Sequence, residues 1–235
     1  MAGSDLGALG LEVSSPVWVR VDGDEVWKGG VVKGLDDEGD LIVEVRGPGA
    51  RPRWEEVVVS IEQQPPEFCK RNPELLKADR AAAVDDLSLL SLLNEPELLH
   101  AIESRFARDV IYTNTGPVLL AVNPFRSLPR LYDSHSLNHF LLTEDTDERL
   151  PPHVYRTSWQ AYQFIKTTGA PQTILVSGES GSGKTETTKF VMRYLALAGS
   201  GGSEAALSVV ERQAEASLYQ QKTPWNFRKP QPHAP

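Results

Sequence analysis

The residues of this chain that are best suited to do chemistry lie in one stretch, Thr173–Met192, which reads TILVSGESGSGKTETTKFVM. Within it, Gly178–Thr185 matches the phosphate-loop pattern G-x-x-x-x-G-K-[ST] at every fixed position. Glycines permit the backbone conformations that turn successive N–H groups towards one anion, and a following helix presents its N-terminal N–H groups to the same place. The stretch therefore predicts a phosphate-binding loop.

The residue types of this loop suit a nucleoside triphosphate bound with Mg²⁺. Each hydrogen bond from a backbone amide to a charged acceptor contributes about 1.5–3 kcal/mol, so the amides should outweigh the helix dipole, which adds about 0.3–1 kcal/mol. Lys184 would neutralise the β- and γ-phosphates, and the Thr185 hydroxyl would bind Mg²⁺. The alternative is a glycine-rich turn beside a surface lysine. The predicted binding residues are Gly178, Glu179, Ser180, Gly181, Ser182, Gly183, Lys184 and Thr185.

The segments on either side of the loop have the patterns needed to hold it. Thr173–Ser177 is a short apolar run containing β-branched residues, which is typical of a buried strand. After Lys184, apolar residues recur at helical spacing: Phe190, Val191, Tyr194 and Leu195. We therefore predict a strand, the loop and a helix in that order.

Composition limits the classes of protein to which the chain can belong. It has 235 residues, of which 40% are apolar and 24% charged, so it can form one large or two smaller globular domains. The net charge of −8 argues against nonspecific nucleic-acid binding. The one cysteine, Cys69, cannot form a disulfide within the chain. Without a signal-peptide pattern or a run of about 18 apolar residues, we expect a soluble intracellular protein that does not span a membrane.

Residues 16–61 have the pattern of a small antiparallel β-barrel. Four valine-rich runs alternate with turn signals that contain glycine, aspartate and proline. Such short strands in about fifty residues are typical of an SH3-like barrel. Trp18, Trp27 and Trp54 have two interpretations. We favour core or docking residues; the alternative is that they line a groove for proline-rich peptides.

Between the barrel and the phosphate loop the pattern changes to helices and a strand pair. Residues 62–84 are predicted to be a linker. Glu95 and Pro96 open a helix whose apolar stripe should face the core, namely Leu98, Leu99, Ile102 and Phe106. Val110–Tyr112 and Val118–Val122 predict two strands. From Pro151 a helical pattern places three aromatic residues on one face, namely Tyr155, Trp159 and Tyr162.

Several segments in this order resemble the start of a myosin motor domain, preceded by the SH3-like module that many myosins carry. They are VDDLSLLSLLNEPELLHAIESRFARDVIYTNTGPVLLAVNPF, LPRLY, PPHVY and GESGSGKTETTKFVMRYLA. The resemblance covers residues 16–213 and implies a small SH3-like β-barrel followed by an incomplete α/β P-loop NTPase domain of the myosin motor type at 85–213. Residues 1–15 and the divergent tail at 214–235 are expected to be disordered.

The resemblance adds residues to the predicted nucleotide site. The segment Asn123, Pro124, Phe125 and Arg126 is similar to the adenine-side loop of the family, which usually has lysine at the last of these positions. Tyr132 is similar to the tyrosine that lines the base pocket, although it lies one residue further from Asn123 than is usual. Ser182 stands where alanine is commonest. Val209–Gln213 resembles the segment just ahead of the next nucleotide motif of the family.

The function implied by the resemblance is that of an ATP-driven, actin-based motor that uses ATP and Mg²⁺ and associates with the cytoskeleton in the cytoplasm. The N-x-x-S-S-R and D-x-x-G-F-E elements, which close the site and sense hydrolysis in myosins, are not in this sequence. We therefore expect binding of ATP with Mg²⁺ but little or no turnover, and leave open whether the chain is an enzyme. Most of the actin-binding cleft is likewise not in the sequence.

Two alternatives to a motor fragment remain. In the first, residues 16–61 are an SH3-like interaction module with a peptide or intramolecular partner, and the nucleotide-binding region is vestigial. The second, a small-molecule P-loop kinase, is disfavoured because the loop lies about three-quarters along the chain. We expect residues 1–61 to fold independently. Residues 85–213 should be molten or aggregate, because only about three strands of their sheet are present, which leaves unpaired edges.

Overall fold

The computed structural model describes residues 6–20, 27–47, 53–62, 67–143 and 150–201. The chain divides into two compact units, Met1–Arg108 and Asp109–Pro235. The predictions for residues 1–5 and for 202–235, which include Val209–Gln213 and the tail, lie outside the described residues. The prediction that residues 1–15 are disordered is wrong for Leu11, which is buried in the core of the first unit. Within the described part, no helix combines the length and the apolar content needed to cross a bilayer.

Five antiparallel strands form the sheet of the first unit in the described residues. They are β1 (Pro16–Val19), β2 (Lys28–Leu35), β3 (Leu41–Arg46), β4 (Trp54–Val59) and β5 (Phe68–Lys70), in the spatial order β4-β3-β2-β1-β5. Alternate residues of the strands are buried, and the core contains Leu11, Val17, Val19, Val32, Leu41, Val43, Val45 and Val59. The four valine-rich runs are therefore strands, as predicted, whereas the SH3-like form stays a prediction.

The fifth strand comes from the stretch that the sequence predicts to be a linker. Phe68–Lys70 pairs with β1, and Cys69 lies opposite Trp18. Three residues are too few to show the alternation by which a strand is recognised, so the pairing partner, and not the local pattern, makes this segment a strand. The short helix α1 (Ala78–Ala83) follows.

Helix α2 (Glu95–Phe106) begins where the sequence predicts, but it buries a different face. The side-chain oxygen of Asn94 accepts a hydrogen bond from the Glu97 amide at 3.1 Å and caps the helix. The buried residues of α2 are Pro96, Glu97, Ala101, Ser104 and Arg105. Leu99 and Phe106 are 55% and 38% exposed, so the prediction that their stripe faces the core is wrong for these two residues. The hydrogen bonds of Glu97 and its neighbours decide the face instead.

A buried polar cluster joins α2 to the sheet of the first unit. One carboxylate oxygen of Glu97 accepts hydrogen bonds from the indole N–H of Trp18 at 2.7 Å and from the amide of Asn72 at 3.0 Å. The guanidinium of Arg71 lies over the Trp18 ring, 4.0 Å from its centroid. Trp18 is therefore a core residue, whereas Trp54 is 62% exposed, so the two do not line one groove.

We predict that a fragment ending at residue 61 does not fold, in contrast to our expectation from the sequence. Such a fragment lacks β5, which pairs with β1, and Glu97, which accepts the Trp18 N–H in the core. Amide NMR spectra of residues 1–61 and 1–108 test this prediction. Only the longer fragment should give dispersed signals, and a dispersed spectrum of the shorter one would contradict it.

The second unit contains one β-hairpin and three helices in its described residues. The hairpin consists of β6 (Tyr112–Thr115) and β7 (Val118–Ala121), with Gly116 in the turn at φ +56°. The helices are α3 (Ser134–Leu141), α4 (Val154–Thr168) and α5 (Lys184–Gly199). Helix α4 ends at Gly169, whose left-handed conformation caps it. The core contains Ile111, Tyr112, Leu137, Phe140, Leu150, Val154, Tyr155, Trp159, Val191, Tyr194 and Leu197. The aromatic face predicted for α4 thus contributes to the core.

The strand predicted before the phosphate loop is not formed. Residues 173–177 belong to no strand, and Leu175 is 87% exposed, so the prediction of a buried strand is wrong. A strand needs a hydrogen-bonding partner, and among the described residues none pairs with this segment. The helix on the other side of the loop is confirmed as α5.

Candidate functional site

A cavity of about 500 Å³ in the second unit lies where the predicted site residues meet. Its lining includes Asn123, Pro124 and Arg126 from the loop after β7, Tyr132 before α3, and Ser182 and Gly183 at the start of α5. Further lining residues come from α5, namely Glu186, Thr187 and Phe190. A largely apolar cavity of this size with a few polar groups is typical of a small-molecule site.

The phosphate-loop segment has a backbone that only glycine adopts readily. Gly178, Gly181 and Gly183 have φ values of +153°, +81° and +96°. A Cβ atom at Gly178 would lie 2.6 Å from the hydroxyl oxygen of Ser182, so any side chain there would require the Ser182 side chain to shift. Gly183 is the N-cap of α5, so the free N–H groups of the first helical turn lie next to the loop. This combination suits an anion.

The ammonium group of Lys184 lies against the loop. It donates hydrogen bonds to the carbonyl oxygens of Gly178, at 2.8 Å, and Glu179, at 2.7 Å. Both bonds are exposed to solvent, so phosphate oxygens can replace them at little cost. Thr185 follows in the first turn of α5 and is exposed. Neither Lys184 nor Thr185 lines the cavity itself.

Asn123 connects the loop after β7 to the phosphate-loop segment. Its side-chain amide donates to the carbonyl oxygen of Gly181 at 2.9 Å, and its side-chain oxygen accepts from the Phe125 amide at 2.9 Å. Phe125 has φ +49°, a left-handed conformation that costs energy for a non-glycine residue. Its side chain is 54% exposed and does not line the cavity. Two predicted site segments, 58 positions apart, are thus in direct contact through Asn123.

Tyr132 forms an aromatic wall of the cavity. Its ring stacks on Phe190, with centroids 3.7 Å apart and planes 6° from parallel. Its hydroxyl lies 2.9 Å from that of Tyr112, and its carbonyl oxygen accepts from Arg193 at 3.1 Å. Burial raises the pKa of both tyrosine hydroxyls, so each remains a hydrogen-bond donor at neutral pH. Contacts to its ring, its hydroxyl and its backbone therefore hold Tyr132 in place.

Arg126 lines the cavity and is the charged group of the loop after β7. Its guanidinium forms an ion pair with the carboxylate of Asp109, a residue with φ +63°. Both side chains are about half exposed, so the pair contributes little to stability. Its effect is to hold a positive charge at one side of the cavity. A second ion pair, between Glu186 and Lys189 at 2.7 Å, lies on α5.

His153 lies behind the aromatic wall and is held as a neutral ring. One ring nitrogen, Nδ1, accepts the Tyr155 amide at 3.0 Å, so the other, Nε2, carries the proton and donates to the carbonyl oxygen of Leu131 at 3.0 Å. Burial lowers the pKa of His153 from 6.5 to about 4. Protonation would remove the acceptor that caps α4 and would bury a charge.

We predict that the second unit loses stability in acid because of His153. A histidine whose pKa falls from 6.5 to about 4 on folding contributes stability above pH 6.5 that is lost between these two values. The loss should approach about 1.4 kcal/mol per pH unit within this range. Hydrogen exchange of the α4 amides between pH 7 and pH 4 measures it, with His153→Gln as the comparison, because glutamine does not titrate. An equal pH dependence in both proteins would contradict the assignment.

Sequence reasoning found part of the cavity lining and missed the rest. Of the predicted residues, Asn123, Pro124, Arg126, Tyr132, Ser182 and Gly183 line the cavity, and the remaining loop residues lie beside it or, for Phe125, point elsewhere. Tyr112, Glu186 and Phe190 were missed as site residues. Glu186 and Phe190 are four positions apart on the helix that begins at Lys184, so helical spacing was a usable signal for them. No comparable signal existed for Tyr112.

Comparison of the sequence with known proteins identifies a family. Residues 84–218 match the model of the myosin head (motor domain). Among curated proteins, Myosin-8 of Arabidopsis thaliana is 39% identical over 200 residues, and Myosin-6 of the same plant is 38% identical over 205 residues. These alignments cover 85% and 87% of this chain but only 12% of each relative. Myosin-14 of Arabidopsis thaliana is 48% identical over 116 residues, which are 49% of this chain and 8% of that protein.

Proposed function

We propose that this chain, which belongs to the myosin head family, binds ATP together with Mg²⁺ in the cavity of its second unit. One observation carries the proposal: a single cavity has the phosphate-loop residues Ser182 and Gly183 at one part of its lining and the aromatic wall of Tyr132 at another. The triphosphate would lie on Gly178–Thr185, and the base would lie against the wall.

The phosphate part of the proposal is supported by the geometry of the loop. The glycine backbone, the N-terminus of α5 and the Lys184 ammonium supply hydrogen-bond donors and positive charge at one place. Lys184 donates to two carbonyl oxygens, which a phosphate would replace with charged acceptors. Because bonds to charged acceptors are stronger, the exchange favours the bound state.

Mg²⁺ fits the residues present. In the described residues no three His, Cys, Asp or Glu side chains are placed to hold a metal ion. Mg²⁺ does not need such a cluster, since it is often held by one protein oxygen, waters and substrate phosphates. The exposed hydroxyl of Thr185, next to Lys184 in the first turn of α5, is the protein ligand that we assign. The ion would neutralise phosphate charge.

The wider functional proposals rest on the family. We propose actin filaments as a partner and the cytoplasmic cytoskeleton as the location, because the chain belongs to the myosin head family. For residues 16–61 we propose an SH3-like module, supported by β1 to β4, the four of the five antiparallel strands of the first unit that lie within this range. We expect binding without appreciable turnover from these 235 residues by themselves, because neither the N-x-x-S-S-R nor the D-x-x-G-F-E element is in the sequence.

Calorimetric titration of the 235-residue chain tests the nucleotide proposal. ATP should bind in the presence of Mg²⁺, and more weakly when EDTA removes the ion. Inorganic tripolyphosphate with Mg²⁺ should bind more weakly than ATP, because it occupies the loop without contacting the aromatic wall. A folded sample that binds neither compound would overturn the proposal.

A further inference from the structure

The two ring nitrogens of His153 connect two segments of the second unit. Its side chain bridges the N-terminus of α4 and the turn Pro129–Leu131, with one nitrogen bonded to each. The residue is 3% exposed; its bond to Tyr155 is buried and its bond to Leu131 is partly buried. A broken bond here would leave a buried polar group unpaired, which costs more than the loss of an exposed bond.

The ring of His153 also packs among the aromatic residues behind the cavity. It stacks on Phe140, with centroids 5.0 Å apart and planes 21° from parallel, and it meets Tyr112 edge-on at 5.0 Å. Its centroid lies 5.8 Å from that of Tyr132. Phe140 and Tyr112 thus fix the orientation of the ring, and the orientation of the ring directs its Nε2–H group at Leu131.

The carbonyl group of Leu131 belongs to the peptide bond that leads into Tyr132. Because a peptide unit is planar, a hydrogen bond to this oxygen fixes the plane from which the Tyr132 backbone continues. The carbonyl oxygen of Tyr132 is held in turn by Arg193 at 3.1 Å. The backbone of the aromatic wall is therefore anchored on both sides of Tyr132.

We propose that His153 is a positioning residue for the base-binding wall of the cavity. It touches neither the cavity nor the phosphate loop, and it acts by holding the Leu131 carbonyl so that Tyr132 faces the base. This inference rests on the proposed nucleotide function. It predicts an effect on ligands that contain a base and none on ligands that contain phosphate alone.

Two substitutions separate the positioning role of His153 from its role as a helix cap. In His153→Asn the amide oxygen takes the place of Nδ1 and keeps the cap, but the side chain is too short to reach Leu131. In His153→Gln the amide nitrogen takes the place of Nε2 and keeps the bond to Leu131. The loss of one hydrogen bond of about average strength corresponds to about 5-fold in affinity.

The readout is the ratio of ATP affinity to tripolyphosphate affinity, both with Mg²⁺, for the whole chain. His153→Asn should lower this ratio about 5-fold, whereas His153→Gln should stay near the wild-type value. A merely structural role would weaken both ligands together and leave the ratio unchanged, which would overturn the inference. If the wild-type chain binds neither ligand, the proposed function itself fails.

A measurement on the wild-type chain decides the matter if a variant does not fold. The ¹⁵N signal of His153 Nε2 should shift when ATP binds and should not shift with tripolyphosphate, because only ATP contacts the wall that this nitrogen holds. An unchanged signal with saturating ATP would overturn the inference.

Discussion

Replacement of Lys184 by alanine should abolish measurable binding of ATP with Mg²⁺. The ammonium group would otherwise bond to charged phosphate oxygens, and two such bonds at about 1.5–3 kcal/mol each correspond to about 100-fold or more in affinity. Within the protein its two bonds go to the carbonyl oxygens of Gly178 and Glu179 and are exposed. Stability should therefore change by no more than about 0.5 kcal/mol. Calorimetry measures the affinity, and circular dichroism confirms that the variant is folded.

Lys166→Ala is the matched control for this substitution. Lys166 lies in the last turn of α4, lines no part of the cavity, and places its ammonium 5.9 Å from the Tyr162 ring. The control removes the same charge and should leave ATP affinity unchanged within about 2-fold, since charges on the surface are largely screened. Equal losses in the two variants would mean that net charge, and not the loop, determines binding.

Replacement of Glu97 by alanine should destabilise the first unit by about 3–5 kcal/mol, the range for removing one member of a buried charged cluster. Glu97 is fully buried, and its loss leaves the Trp18 indole N–H and the Asn72 amide without their acceptor. It also removes the carboxylate that opposes the lowering, by burial, of the pKa of the partly buried Arg71. Hydrogen exchange of the β1 amides in the whole chain should report the loss.

Glu103→Ala provides the control on the same helix. Its side chain is exposed on α2, so the change in the free energy of unfolding should remain within about 0.5 kcal/mol. Trp18→Phe completes the comparison, because it removes the N–H donor and keeps an aromatic ring. If Glu97→Ala and Trp18→Phe together cost as much as the sum of their separate effects, the 2.7 Å bond does not couple the sheet to α2.

Much of the candidate site was predictable because its pattern is local. The residue types of the octapeptide Gly178–Thr185 predict its backbone conformation. Glycines occupy the positions with positive φ, and the helix begins directly at Lys184. The valine-rich strands β1 to β4 and the start of α2 at Glu95 were likewise predictable, since alternation and a proline in the first helical turn act within a few residues. The order of several such segments was enough to predict the family that the comparison then gave.

Other features depended on partners that are distant in the chain. β5 and residues 173–177 are opposite cases. The three residues of β5 have no strand pattern and pair with β1, whereas the apolar, β-branched residues 173–177 pair with no strand in the described part of the chain. The burial of Glu97 in place of Leu99 follows from its bond to Trp18, 79 positions away. Local propensity is a weak guide wherever a hydrogen-bonding partner decides the conformation.

The sequence by itself determined the glycine backbone of Gly178–Thr185, the helix that follows it and the family, because these rest on short-range patterns of residue types. Only the tertiary structure decided that Asn123 lies on Gly181, that Tyr132 stacks on Phe190, and that His153 holds the backbone behind them. Each of these contacts joins residues that are 22 to 58 positions apart. Such contacts form when the whole unit closes around its core, so no local pattern encodes them.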